Sequence, residues 1–194
     1  FIVTEEETRI ISDFCHRRAQ KGTRVFVDPI MGDNGKLYAG VPESTIGLMR
    51  SLVECADYAV PNYTEACLLT DTPIAEEITA DEARTLVDAM LALGTKSVVI
   101  TSAKVDGASA VIGYDHVAGG YFEIPFELIP VYFPGTGDTF SAVLMGRVMN
   151  GWSLQRATAD AMRVVAELIE RNADQEDKSA GLPIEACLDV IDHE

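Results

Sequence analysis

Short runs of β-branched and aromatic residues alternate along this chain with amphipathic stretches about 10 to 16 residues long, and that alternation restricts the fold more than any other feature. Thr4 followed by Glu7 forms a capping box, and Ile10, Ile11, Phe14 and Cys15 continue an apolar stripe, so a helix is predicted from Glu5 to about Gln20, ended by Gly22. Arg24 to Val27 then reads as a strand, and Asp28 to Gly40 as a loop rich in Gly and Asp. Pro42 opens a helix carrying Ile46, Leu48, Met49, Leu52 and Val53, followed by a strand at Tyr58 to Val60 and a short helix opened by Pro61 and Asn62. A second capping box, Thr79 with Glu82, starts a helix that Gly94 ends. Ser97 to Thr101 is the next strand, and Ser109 to Tyr114 with Gly120 to Glu123 reads as a hairpin. Val131 to Phe133 is read as a further strand, leading into an apolar helix that stops at Asn150 and Gly151. Ser153 caps a helix to about Asn172, and Pro183 begins a last short one. This order predicts a layered α/β fold with a mixed sheet, in which ligands sit where the carboxyl ends of strands meet helix N-termini.

Charge narrows what such a fold can bind. Of 194 residues, 31 are Asp or Glu and 15 are Lys or Arg, a formal net charge of −16. That surplus repels phosphate backbones and anionic lipid, and no basic run interrupts it, so neither nucleic acid nor a membrane surface is an expected partner. No apolar stretch approaches the roughly 20 residues of a membrane span. The cysteines, Cys15, Cys55, Cys67 and Cys187, lie far apart without metal-ligand spacing and read as reduced thiols of a cytoplasmic protein. An anionic ligand would need local help.

Such help is offered by Phe133-Pro134-Gly135-Thr136-Gly137-Asp138-Thr139-Phe140, where glycines leave backbone N–H groups uncovered at a helix start and so favour an anion. A dinucleotide fingerprint would need a third glycine where Phe140 stands, and there is no Walker A motif. Asp138 is out of place in an anion cradle unless its charge has a task. It suits a general base that accepts the proton of a hydroxyl attacking phosphorus; the alternative is that it merely caps the helix. Asp28 and Asp33 follow the first strand, and Asn62 and Glu65 stand at the next strand-to-helix junction. Oxygen donors of this kind suit Mg²⁺, which takes one or two carboxylates together with water and phosphate oxygens; alternatively, Asp28 and Asp33 form turns while Asn62 and Glu65 cap a helix. Thr101 and Ser102 end a strand with hydroxyls that can bond phosphate oxygens.

In this order, DPIMGDNGKLY, PNYTEA, VVITS and PGTGDTF resemble the ribokinase-like superfamily and, within it, the pyridoxal kinase branch. GTGD alone marks the superfamily, whereas DPxMGD followed by GKLY is characteristic of vitamin B6 kinases and less like the hydroxymethylpyrimidine kinases. The resemblance implies a ribokinase-like α/β fold, a mixed and mostly parallel sheet sandwiched between helix layers. Residues 1–194 would form a single kinase domain whose N-terminal segment, with its first strand and pyridine-holding loops, would precede Phe1. It implies ATP-dependent phosphorylation of the 5′-hydroxymethyl group of pyridoxal, pyridoxamine or pyridoxine, with Asp138 as base at the substrate hydroxyl and Gly135, Thr136 and Gly137 as the anion hole.

By position, Asp33 and Glu65 match magnesium-side carboxylates, Asn62, Ser102, Thr101 and Thr136 match nucleotide phosphate contacts, and Tyr38 matches a tyrosine near the nucleotide. Asp28 and Thr101 match positions around a monovalent cation, potassium in the family, although Val60 stands where relatives often have threonine. Ile129 to Val131 matches part of the adenine pocket. A homodimer is the implied assembly. The rival readings are a hydroxymethylpyrimidine or sugar kinase on the same scaffold, and a non-catalytic nucleotide-binding remnant.

Overall fold

The structure is a computed structural model and describes residues 2 and 4–191. It divides into two compact units, residues 1–126 and 127–194. The first contains helix α1 (Glu5–Ala19), strands β1 (Phe26–Val27), β2 (Gly32–Asp33) and β3 (Lys36–Leu37), helix α2 (Ser44–Glu54), strand β4 (Tyr58–Ala59), helices α3 (Tyr63–Thr70) and α4 (Ala80–Ala92), and strands β5 (Ser97–Val105), β6 (Ala108–Asp115) and β7 (Gly120–Pro125). The second contains helices α5 (Thr136–Met149) and α6 (Leu154–Arg171), a 3₁₀ turn (Ile184–Cys187) and helix α7 (Leu188–Ile191).

A five-stranded sheet in the order β1-β4-β5-β6-β7 organises the first unit. The β1–β4 and β4–β5 pairings are parallel, and the β5–β6 and β6–β7 pairings antiparallel, so the α/β class and the mixed sheet stand. Parallel neighbours require crossovers, which α2, α3 and α4 supply; the antiparallel pair β6–β7 is the expected hairpin. Ser97 to Ile100 are all buried, as in a central strand covered on both faces. Val98 and Ile100 pack with Met49, Leu52 and Val53 of α2, Leu69 of α3, and Leu86, Val87 and Met90 of α4 in one core.

Helix boundaries follow the local signals. Thr4 and Thr79 make their capping boxes with Glu7 and Glu82, and Ser153 accepts from the Arg156 amide. Helix α1 departs from expectation in its burial. Ile10, Ile11 and Phe14 lie exposed and Thr8 is its buried residue. Its capping box, with Glu5 to Glu7 at the start and His16 to Arg18 at the end to complement the dipole, supports the helix without a buried stripe.

Two other expectations need correction. The loop from Asp28 to Gly40 contains the β2–β3 hairpin, turned at Asn34 and Gly35, whose φ angles of 52° and 79° are those of a type I′ turn. Val131 to Phe133 is not a strand. The Val131 amide donates to the Ile129 carbonyl at 2.8 Å, a three-residue turn that takes the place of strand pairing. In the second unit, α5 and α6 pack side by side, and Asp160 on α6 accepts from Arg147 of α5 and from Arg163. Arg163 also bonds Glu167, while Arg171 joins Glu167 to Asp189 of α7.

Gly113 is the tightest point of the sheet. A Cβ there would lie 2.4 Å from the Val98 carbonyl oxygen and 2.6 Å from the Phe122 ring. Gly113→Ala is therefore expected to cost about 2 kcal/mol or more, read as a lower denaturant midpoint, because backbone on one side and a packed ring on the other cannot both yield. An unchanged midpoint would contradict this packing.

Candidate active site

The expected residues of the first unit are joined by hydrogen bonds that tie three loops together. Asn62 caps α3 and forms a capping box with Glu65: the Glu65 amide donates to Asn62 Oδ1 and the Asn62 amide to Glu65 Oε2, both at 2.9 Å. The other carboxylate oxygen, Oε1, accepts from the amides of Met31 at 2.9 Å and Gly32 at 3.4 Å. Asn62 Nδ2 donates to the Gly32 carbonyl at 2.7 Å, and the Gly35 amide to Thr64 Oγ1 at 2.9 Å. The start of α3 thus grips the β2–β3 hairpin at four points. Gly32 must be glycine here, since a Cβ would lie 2.5 Å from the Lys36 carbonyl oxygen.

Glu65 is 2% exposed. Burial pushes its carboxyl up to about 7, against the downward pull of the Asn62, Met31 and Gly32 amides; the nearby Asp28 adds a smaller upward push. Asp33, half-buried at the hairpin, accepts the Asn34 amide at 2.7 Å and the Asn34 side-chain amide at 3.1 Å. Tyr38 follows the hairpin and is 46% exposed, its amide donating to the Met31 carbonyl at 2.9 Å.

The third loop joins through the backbone. Thr101 bridges to Asn62, its amide donating to the Pro61 carbonyl at 3.0 Å. Strand β5 runs on beyond Thr101, but its register with β6 shifts between Ile100 and Ala103. Ser102 sits in this bulge, exposed and at φ 59°, a conformation that a non-glycine residue adopts at a cost. The bulge interrupts the ladder and leaves the serine exposed, one residue past the Thr101 bridge to Asn62.

In the second unit, Gly135 at φ 83° is the N-cap of α5 and makes no side-chain cap bond. Thr139 bonds back to the Gly135 carbonyl through both its amide and its hydroxyl, at 3.0 Å each. Asp138 lies exposed in the first turn. The N-cap is Gly135 and not Asp138, which stands three residues further in as the acidic residue of the first turn. The positive end of a helix dipole and a carboxylate face solvent together, which suits an anion cradle with a base beside it.

Asp28, Asp33, Tyr38, Asn62, Glu65, Thr101 and Ser102 therefore share the first unit, at the carboxyl ends of β1 and β4 and the β5 bulge, and Gly135, Thr136, Gly137 and Asp138 share the second. Sequence reading left out Thr64, Met31 and Gly32, which hold the hairpin. The dipeptide Asn34-Gly35, a strong hairpin signal, could have found that turn.

Glu65 supplies a test. In the unfolded chain its pKa is ordinary, so between about pH 4.5 and 7 the folded protein binds the extra proton. Stability from this group is then greatest at the acid side and falls as pH rises through 7. In metal-free buffer the wild type should lose on the order of 2–3 kcal/mol from pH 5 to 8 relative to Glu65→Gln, measured by urea denaturation. The variant should be less stable at pH 5, because its NH₂ cannot accept the Asn62 amide. Parallel pH profiles would refute the raised pKa.

A family model described as phosphomethylpyrimidine kinase matches residues 1–182. The pyridoxal kinase of Arabidopsis thaliana is 34% identical over 174 residues, covering 84% of this chain and 53% of that protein. The chain thus spans about half the length of this curated relative. Among solved structures, it is similar to a Bacteroides thetaiotaomicron protein assigned as a phosphomethylpyrimidine kinase and crystallised with pyridoxal. That likeness has a TM-score of 0.91 and 30% identity, over 100% of this chain and 69% of that one. It is also similar to the pyridoxal kinase of Leishmania donovani in complex with ADP and pyridoxine, with a TM-score of 0.76 and 25% identity, over 96% of this chain and 65% of that one. With the family model matched over almost its whole length, the chain belongs to the phosphomethylpyrimidine kinase family.

Proposed function

We propose that this chain is the main part of an ATP-dependent kinase that phosphorylates the 5′-hydroxymethyl group of pyridoxal, pyridoxamine or pyridoxine. The observation that carries the reading is that Asn62 and Glu65 at the start of α3 bond the loop that carries Asp33, through Met31 and Gly32, and bridge to Thr101, the neighbour of Ser102. The pyridoxal and ADP–pyridoxine complexes of its structural relatives support the same substrate pair.

In this mechanism the substrate hydroxyl attacks the γ-phosphorus in line, the bond to the ADP oxygen breaks, and Asp138 accepts the hydroxyl proton. The uncapped amides at Gly135, Thr136 and Gly137 stabilise charge on the transferring group. Asn62, Thr101, Ser102 and Thr136 contact phosphate oxygens, and Tyr38 borders the nucleotide. Residues 1–194 act as one kinase domain.

The donor set fits magnesium, since Asp33 offers carboxylate oxygens whose hydrogen bonds, among the described residues, go to its neighbour Asn34. Glu65 stands behind it, with both oxygens engaged by amides, and acts through water and by holding the hairpin. Magnesium, when bound, offsets the phosphate charge that this acidic chain would otherwise repel. Asp28 and Thr101 are the potassium-side pair, with Val60 offering only its carbonyl. The reading includes a cytoplasmic homodimer, in keeping with cysteines that are all free and with the family's assembly.

The name of the matching family favours one other reading, a hydroxymethylpyrimidine kinase. Turnover of pyridoxal with ATP and magnesium, against little or none of hydroxymethylpyrimidine, supports the B6 assignment; the reverse preference overturns it. In the complete protein, Asp138→Ala should lower kcat by about 10²–10⁴-fold while leaving ATP binding nearly intact. Retained turnover would remove Asp138 from the base role.

A further inference from the structure

A cavity of about 220 Å³ opens in the first unit at the end of the sheet opposite the motif loops. Arg24 comes just before β1, Asp57 and Lys96 just before β4 and β5, and His116 just after β6, and all four line the cavity with Tyr58 and Ser97, the first residues of β4 and β5. Because β1, β4 and β5 run parallel, these positions share the amino ends of those strands, whereas Asp28, Asn62 and Thr101 lie toward the other end. In a chain with 31 acidic and 15 basic residues, three side chains able to carry positive charge, from three different connections, meet at this one cavity.

The lining is held in place from below. Tyr58 is 8% exposed and its ring stacks on Phe26 at 4.5 Å, and Ser97 is 1% exposed. Ser97 Oγ accepts the His116 amide at 3.0 Å and keeps its own proton to donate. Asp115 Oδ1 accepts the Val117 and Ala118 amides at 2.9 and 3.1 Å, which fixes the turn that carries His116. Asp57, the carboxylate in the lining, is already engaged: Oδ1 pairs with Lys96 Nζ at 2.6 Å, and Oδ2 accepts the Val25 amide at 2.8 Å. An ammonium has three N–H donors and a guanidinium five, so this ion pair does not exhaust the donors of the cavity.

We propose that this cavity is a binding site for phosphate, free or as a small monoester. A tetrahedral oxyanion presents acceptors in several directions, and the Arg24 guanidinium, Lys96 ammonium, His116 imidazole and Ser97 hydroxyl supply donors from separate elements around it. The volume falls below the roughly 300–1,000 Å³ of pockets for larger organic ligands, which selects a small anion over a nucleotide. The Tyr58 ring adds an aromatic wall for the organic part of a monoester. Neither the anion hole at α5 nor the carboxylates after β1 and β4 take part, so the site stands whether or not the kinase reading does.

The test is titration of the isotope-labelled complete protein with inorganic phosphate, at ionic strength held constant with sodium chloride, read by NMR as backbone amide shifts. The Ser97, His116 and Val117 amides should shift and saturate. A parallel titration with pyridoxine 5′-phosphate separates the two sources: tighter binding at these amides assigns the site to monoesters, and weaker binding assigns it to free phosphate. Arg24→Gln and His116→Gln, both at exposed positions and both leaving the Lys96–Asp57 pair in place, should each weaken binding at these amides by about tenfold. Shifts at the Gly135 and Gly137 amides report the anion hole separately and should not change in these variants. Shifts confined to Gly135 and Gly137, the same shifts from sodium chloride alone, no saturable shift at Ser97, His116 and Val117, or undiminished binding in both variants would overturn the proposal.

Discussion

The buried Glu65 carboxylate is the contact on which the first unit's motif loops depend. Three backbone amides, from Asn62, Met31 and Gly32, converge on its two oxygens, so one side chain satisfies the start of α3 and the hairpin after β1 together. A buried carboxylate without such donors would be costly, and buried amides without an acceptor equally so. Each needs the other. Burial still outweighs the amides and raises the Glu65 pKa, which ties the order of the hairpin to the protonation of a single group.

The two units treat helix N-termini in opposite ways. At α3 the side chains of Asn62 and Glu65 complete the end of the helix and use it to fasten a loop. At α5 the cap is a left-handed glycine with no side-chain bond, which leaves the positive end of the dipole without a side-chain acceptor from its cap. A closed end and an open end are thus distinguished by what the capping residue offers. Gly135 is chosen for its conformation, and Asn62 for its oxygen.

Much of the architecture was legible along the chain. The helices beginning at Glu5, Ala80 and Leu154 were marked by Thr4, Thr79 and Ser153, and the hairpin of β6 and β7 by its turn glycines. The loop motifs were legible too, because GTGD and NYTE are contiguous. The exposure of Ile10 and Phe14 was not, since a periodic apolar stripe states what a helix can bury and not whether a partner is there. Val131 to Phe133 had strand composition but turns instead, because a strand exists only by pairing.

By itself the sequence determined the helix starts, the turn glycines and the identity of the motif residues, for a physical reason: a capping box or a type I′ turn closes within four residues and answers to its own chemistry. Only the tertiary structure decided that Glu65 reaches back to Met31 and that the sheet register slips at Ser102, which lies exposed. These contacts join residues separated by whole elements. Their energies depend on burial and on the direction of each side chain, and neither exists until the helices have packed on the sheet.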